Sequence, residues 1–154
     1  MGNTSVIEAE EFQHMYAGTG VVHSEMNASD AEPVHFLQIW IIPEQTGGTS
    51  SYFQIKVDLD EQPNSFVPVA GPDEHDGRAM LRSDTWIYMA RLQEGSSIRH
   101  DFEPGRAGFL QVVQGIIEIE GHRLSAGDGL QFDATSRCDI EALSDAELML
   151  IDLS

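Results

Sequence analysis

No long stretch of this chain keeps a helical period, and turn residues interrupt it throughout: Gly18-Thr19-Gly20, Gly47-Gly48, Pro72-Asp73, Asp76-Gly77, Pro104-Gly105 and Gly127-Asp128-Gly129. Such punctuation leaves room only for short elements. The segments between the turns are rich in β-branched and aromatic residues, which fit a pleated surface. They predict strands over Phe12–Ala17, Val34–Ile42, Tyr52–Asp58, Asp84–Ala90, Gly108–Gln114, Gly115–Glu120 and Leu148–Asp152. Period-two alternation is clearest in Ile116-Ile117-Glu118-Ile119-Glu120. Only Ile7–Phe12 and Asp145–Met149 carry weak helical alternatives. Many short strands at regular spacing mean a sandwich or a barrel.

Hydrophobic residues make up 41% of the 154 positions, enough for one full core and part of a second. Against 26 Asp and Glu stand only 8 Lys and Arg, for a net charge of -18, and Lys56 is the sole lysine. Phosphate recognition needs cations, so nucleic acid and anionic membrane surfaces are excluded as partners. A single cysteine, Cys138, rules out an internal disulfide or a Cys-built zinc site. No apolar run approaches the roughly 18 residues of a membrane span. The stretch Met1–Gln13 is acidic where a signal peptide is basic and then apolar. A cytoplasmic protein is expected.

Val34-His35-Phe36-Leu37-Gln38-Ile39-Trp40-Ile41-Ile42 is apolar on both faces, which predicts a strand held between packed layers. A Gly-, Ser- and Thr-rich stretch, Pro43–Ser51, follows it. The chain therefore divides into an incomplete unit, 1–50, and a complete one, 51–154.

The chemistry concentrates in Gly18-Thr19-Gly20-Val21-Val22-His23-Ser24-Glu25-Met26-Asn27. His23 and Glu25 stand two apart, and in a strand that spacing puts both side chains on one face. An imidazole beside a carboxylate is half of a site for Fe, Ni, Mn, Cu or Zn. The same spacing also suits a strand end with a hydrogen-bonded core histidine.

Gly20, His23 and Asn27 in the pattern G-x2-H-x3-N resemble the second half of the cupin motif, with Gly18 where that motif has proline. The run from Gly18 to Glu25, followed by His35-Phe36-Leu37-Gln38-Ile39-Trp40-Ile41-Ile42-Pro43, resembles the pirin family. The likeness continues through Leu124-Ser125-Ala126-Gly127-Asp128-Gly129 to the end of the chain. It implies an all-β cupin (double-stranded β-helix, or jelly-roll barrel), with one complete C-terminal cupin preceded by the trailing strands of a first cupin. It also implies a non-haem metal centre of Fe(II) or another divalent transition metal, with His23 and Glu25 as ligands. Some bacterial pirins resemble quercetin 2,3-dioxygenase, which opens a flavonol ring with O₂; others regulate partner proteins. In the first case Glu25 is also the candidate catalytic base, and a flavonol-like small molecule is the expected substrate.

The departures matter more than the match. The pirin site also takes two histidines from an H-x-H motif ahead of the His23 strand. Only 22 residues precede His23 here, the one histidine among them is His14, and no H-x-H occurs anywhere. The chain thus reads as beginning inside the first cupin, with a metal site that is weak or absent and no activity of its own. His14 is the one candidate replacement ligand. In the second cupin, the histidine positions of the first motif fall on Phe102 and Pro104, or on Asp101 and Glu103, with Gly108 at the glutamate position. The later histidine and asparagine positions fall on Cys138 and Ala142. That set implies a metal-free, structural barrel.

The remaining features read as structural. Asp73-Glu74-His75-Asp76-Gly77 lacks the length and spacing of a calcium loop and predicts a solvated turn. His100 and His122 are expected at the surface or in hydrogen bonds, His35 in a pocket wall or core, and Cys138 as a small buried side chain. Phe36, Trp40, Tyr52, Phe53 and Trp86 predict core packing rather than a flavonol platform. With the front of the first barrel missing, the Val34–Ile42 strand lacks cover, which predicts homo-oligomers or strand exchange.

Overall fold

Leu148-Met149-Leu150-Ile151 cannot satisfy a strand with one wet face, and the protein gives it none. A computed structural model describes residues 4–75, 77–133 and 137–154. These residues form twelve strands and no helix: β1 Glu11–Tyr16, β2 Ser51–Lys56, β3 Val67–Gly71, β4 Ala79–Met80, β5 Thr85–Leu92, β6 Ser97–Asp101, β7 Ala107–Gln114, β8 Ile116–Ile119, β9 His122–Ser125, β10 Gly129–Phe132, β11 Arg137–Ala142 and β12 Ala146–Leu153. Strand β12 pairs with β5 along its whole length, from Ala146 opposite Leu92 to Leu153 opposite Thr85. Its other edge pairs with β7, with a bulge between Glu147 and Leu148.

The strands build a six-stranded sheet in the order β10-β7-β12-β5-β3-β4 and a four-stranded sheet in the order β6-β11-β8-β9. The two sheets face each other. Leu92, Leu110, Val112, Leu148 and Leu150 of the first meet Ile98, Ile117, Ile119, Cys138 and Ile140 of the second in one buried cluster. The alternation Ile117, Ile119 inward and Glu118 outward is the two-residue period of a strand with one wet face. Gly115 carries the chain from β7 to β8 with φ +82°. A Cβ there would collide with the Asp145 and Ala146 backbone, so only glycine fits.

The back of the six-stranded sheet carries a second cluster. Val69, Ala70, Ile87 and Met149 lie beneath Val57, Leu59 and the half-buried Phe12, Phe53, Ile39 and Ile41. Strand β2 pairs antiparallel with β1, from Glu11 opposite Lys56 to Tyr16 opposite Ser51, and brings Phe12 and Phe53 onto this face. The Arg91 guanidinium joins the layers, reaching Glu10 at 2.8 Å, Asp60 at 2.8 Å and Glu147 at 3.4 Å.

Several expectations need correction. Val34–Ile42 is not a strand between layers: residues 17–50 form no strand, and Phe36, Trp40 and Ile42 are exposed. Only Ile39 and Ile41 reach the core, because the one available apolar face is shared with β1 and β2. His35 is exposed rather than part of a core. The helical alternatives are overruled, since Glu11–Tyr16 and Ala146–Leu153 are strands fixed by cross-strand pairing. Of the five aromatics expected in the core, Phe36, Trp40 and Tyr52 are exposed. Phe53 is half-buried against the second cluster, and Trp86 is half-buried and stacked on Tyr88 at 6.1 Å. Asp73 pairs with Arg78 at 2.7 Å, and Asp76 lies outside the described residues.

Candidate metal centre

The candidate donors hang from the end of β1. Tyr16 is buried there, and its hydroxyl donates to the carbonyls of Gly47 and Gln45. The Arg82 guanidinium lies 4.3 Å from the Tyr16 ring centroid. Gly18, at φ +59°, lets the chain turn against the backbone of 48–50, where any Cβ would clash. The turn closes with the Gly20 amide donating to the Ala17 carbonyl at 2.9 Å.

Beyond it, His23 Nδ1 lies 3.7 Å from Glu25 Oε1, with the side chains 41% and 39% exposed. The separation exceeds a hydrogen bond, so neither atom is tied to the other. Bonds of about 2.0–2.2 Å to one divalent ion place two adjacent donors roughly 3.0–3.5 Å apart, close to what is seen. The pair comes together without the expected strand, through the local course of 20–26. Asn27 does not face it: its amide donates to the Glu32 carbonyl at 2.6 Å, and its carbonyl accepts from the Ser29 amide at 3.0 Å. In this chain the motif asparagine pins the next turn.

Among the described residues no three His, Cys, Asp or Glu side chains gather to hold an ion. His14 therefore does not join His23 and Glu25. It sits opposite Phe53 on β1, and burial lowers its pKa. An imidazole and a carboxylate suit a divalent transition metal, and they would fill part of its coordination sphere.

In residues 51–154, the positions that the motif alignment matched with ligands hold other chemistry. Phe102 is buried, while Asp101 and Glu103 are exposed. A Cβ at Gly108 would lie 2.6 Å from the Phe102 ring, so that ring occupies the space. Burial pushes the Cys138 thiol up to about 11, and Ala142 offers no donor.

Beside these residues lies a polar chain that spacing arguments missed. Asp152, nearly fully buried, accepts from Arg106 Nε at 2.5 Å and pairs with His100 Nε2 at 2.9 Å. Arg106 also reaches Asp84 Oδ1 at 2.9 Å. Burial works against the Arg106 charge, and hydrogen bonds to Asp152 and Asp84 outweigh it, so its pKa is raised. The His100 ring is walled by Phe102 at 4.7 Å, Tyr88 at 5.0 Å and Phe66 at 5.7 Å. His100 is thus hydrogen-bonded, one of the two roles expected of it. The available signal was Asp152 itself, a charge that follows directly on the apolar run Leu148–Ile151 and needs partners once buried.

Two sheets, antiparallel except where β3 meets β4, close over one apolar interior in the manner of a cupin. Comparison with known proteins gives the family. Residues 68–153 match the quercetinase C-terminal cupin domain, and residues 1–41 match pirin. The quercetin 2,3-dioxygenase of Escherichia coli (strain K12) is 38% identical over 153 residues, covering 99% of this chain and 65% of that protein. The crystal structure of YhhW from Escherichia coli superposes with a TM-score of 0.92 at 38% identity, over 100% of this chain and 64% of the other. The structure of the bacterial pirin YhhW in complex with nickel(II), also from Escherichia coli, gives a TM-score of 0.90 at 37% identity, over 99% and 65%. The chain belongs to the pirin family. It spans about two thirds of the length of these relatives.

Proposed function

We infer that this chain is a pirin-type relative of the metal-dependent quercetin 2,3-dioxygenases, with His23 and Glu25 as its metal donors and no turnover on its own. The observation that carries the reading is the 3.7 Å juxtaposition of His23 Nδ1 and Glu25 Oε1 in an accessible segment. The related pirin in complex with nickel(II) supports a divalent transition metal, and Fe(II) is the metal that suits dioxygen chemistry. The reading assigns the donors to residues 1–50 and a metal-free, structural cupin to 51–154, with β2 reaching back to pair with β1. A cytoplasmic location belongs to it.

When bound, the metal would supply Lewis-acid polarisation of a flavonol hydroxyl oxygen. His23 holds through a neutral ring nitrogen and so must be deprotonated there. Glu25 has two oxygens: one fits a ligand, and the other can take the proton of a hydroxyl brought beside it. Two donors leave an ion open to water and weakly held. That is why turnover is not expected of the isolated chain.

A second reading is a non-catalytic module that regulates a partner protein. The exposed Phe36, Trp40 and Ile42 favour it, because contiguous apolar surface marks interaction sites. The same surface is where copies of the chain would meet.

Calorimetric titration with Ni(II) or Fe(II), run beside oxygen uptake with quercetin, tests the assignment. The expected result is weak stoichiometric binding, lost in His23→Ala and Glu25→Gln, without oxygen consumption above background. Binding unchanged in both variants would sink the ligand assignment. Sustained oxygen uptake would sink the claim of inactivity, and no binding at all would leave a metal-free remnant.

A further inference from the structure

Polar groups inside a protein are normally hydrogen-bonded, and one end of the barrel leaves two of them open. The His100 side chain is 11% exposed, and its Nε2 is held 2.9 Å from Asp152 Oδ2. A carboxylate can only accept, so Nε2 carries the hydrogen and Nδ1 of the uncharged ring holds a lone pair. No described residue bonds that lone pair. The Tyr88 ring lies 5.0 Å from the imidazole, half-buried on β5, and its hydroxyl has no hydrogen-bond partner among the described residues either. Burial first, and then the Asp152 charge, raises the Tyr88 pKa, so the hydroxyl stays a donor. Among the described residues only Arg78 Nε is both sealed and unpaired, which means that His100 Nδ1 and the Tyr88 hydroxyl can be reached from outside. An acceptor and a donor thus stand open on neighbouring rings of an apolar interior.

The surroundings define what would pair them. The walls are aromatic: Phe66 stands 5.7 Å from His100 and 6.2 Å from Tyr88, Phe102 stands 4.7 Å from His100, and Trp86 stacks on Tyr88 at 6.1 Å. The charges around them are already committed. Asp152 gives one oxygen to Arg106 and the other to His100, and Arg106 also bonds Asp84. Arg78 lies 4.7 Å from the Trp86 ring centroid and pairs with Asp73 at 2.7 Å. Asp152 therefore has no oxygen left for a cation, and a net charge of -18 works against an anion. What suits the place is a neutral group that gives one hydrogen bond and takes another, carried on a flat ring. A hydroxyl does both. We propose that this end of the barrel binds a small neutral hydroxyaromatic molecule, its hydroxyl donating to His100 Nδ1 and accepting from the Tyr88 hydroxyl. The site is separate from His23 and Glu25 and needs no metal. Each of its residues lies between 66 and 152, on the two sheets of one barrel and the turns that join them.

Titration of the full chain with phenol at pH 8, with a chelator present, tests the site. Phenol is neutral there, and long-range proton–nitrogen spectra read an unprotonated imidazole nitrogen directly. The expected result is a saturable shift of the His100 Nδ1 resonance, with those of His14 and His122 unmoved. Calorimetry should rank toluene and benzoate below phenol, toluene because it lacks the hydroxyl and benzoate because it is charged. Tyr88→Phe keeps the ring and removes a hydroxyl that has no described partner. Its melting temperature should hold, while the dissociation constant for phenol rises about three- to tenfold. A titration without a saturable shift means that water alone fills the place and overturns the proposal. So does a Tyr88→Phe variant that binds phenol as tightly as the parent. Toluene or benzoate binding as well as phenol overturns the assigned class of ligand. With metal chelated throughout, none of these outcomes bears on His23 and Glu25.

Discussion

Asp152 is the residue on which the barrel's polar interior turns. Its two carboxylate oxygens serve Arg106 and His100, and its side chain is 6% exposed. Asp152→Ala leaves Arg106 with Asp84 as its one carboxylate partner and should cost about 3 kcal/mol in urea unfolding. Asp84, whose side chain is half-exposed, should cost less than about 1 kcal/mol when replaced by alanine. Burial lowers the His14 pKa, so the folded state holds this ring neutral while the unfolded chain titrates near 6.5. The unfolded state then binds more protons below that value. Its contribution is present above pH 6.5 and is lost as pH falls through that point toward the folded pKa. His14→Gln should accordingly lose less stability than the parent between pH 7 and pH 5, measured by urea melts at each pH. At this scale the sequence suggested the candidate pair, His23 and Glu25, from a spacing of two positions. It did not show Asp152's partners, which come from β6 and the turn before β7.

At the scale of elements, the strands with strong β composition were legible: β1, β2, β5, β7, β8 and β12 all lie where alternation and turn residues put them. The unread ones, such as Ser97–Asp101, His122–Ser125 and Arg137–Ala142, are short, and polar residues make up half or more of each. Their strand state is imposed by ladders, β11 pairing with both β6 and β8. Val34–Ile42 fails in the opposite way. Its composition demands a strand, but a strand needs a hydrogen-bonded neighbour, and none of the described residues provides one. Gly115 shows how tightly two elements can be joined. Gly115→Val puts a side chain into the Asp145–Ala146 backbone at φ +82°, and a loss of at least about 2 kcal/mol is expected from thermal or urea unfolding.

The whole molecule is two apolar clusters separated by one sheet, with β5 and β12 contributing to both. Each cluster depends on the other through that shared layer, so a single cooperative unfolding transition is expected from tryptophan fluorescence and circular dichroism. The charge of -18 is spread over this small body with only 8 Lys and Arg to offset it. Self-repulsion of that size falls as ions screen it. The melting temperature should therefore rise between 20 mM and 500 mM sodium chloride; a fall would mean that ion pairs such as those of Arg91 outweigh the repulsion.

By itself the sequence determined the all-β class, the turn positions, the acidic surface and the imidazole–carboxylate pair. Those follow from local chemistry: backbone freedom at glycine, β-branched packing, and the reach of side chains two residues apart. Only the tertiary structure decided which apolar run is buried on both sides and what fills the barrel. It also shows that no three metal-ligating side chains gather among the described residues. Such choices depend on which distant segments meet, and burial is granted by the neighbour a strand finds, whatever its own composition demands.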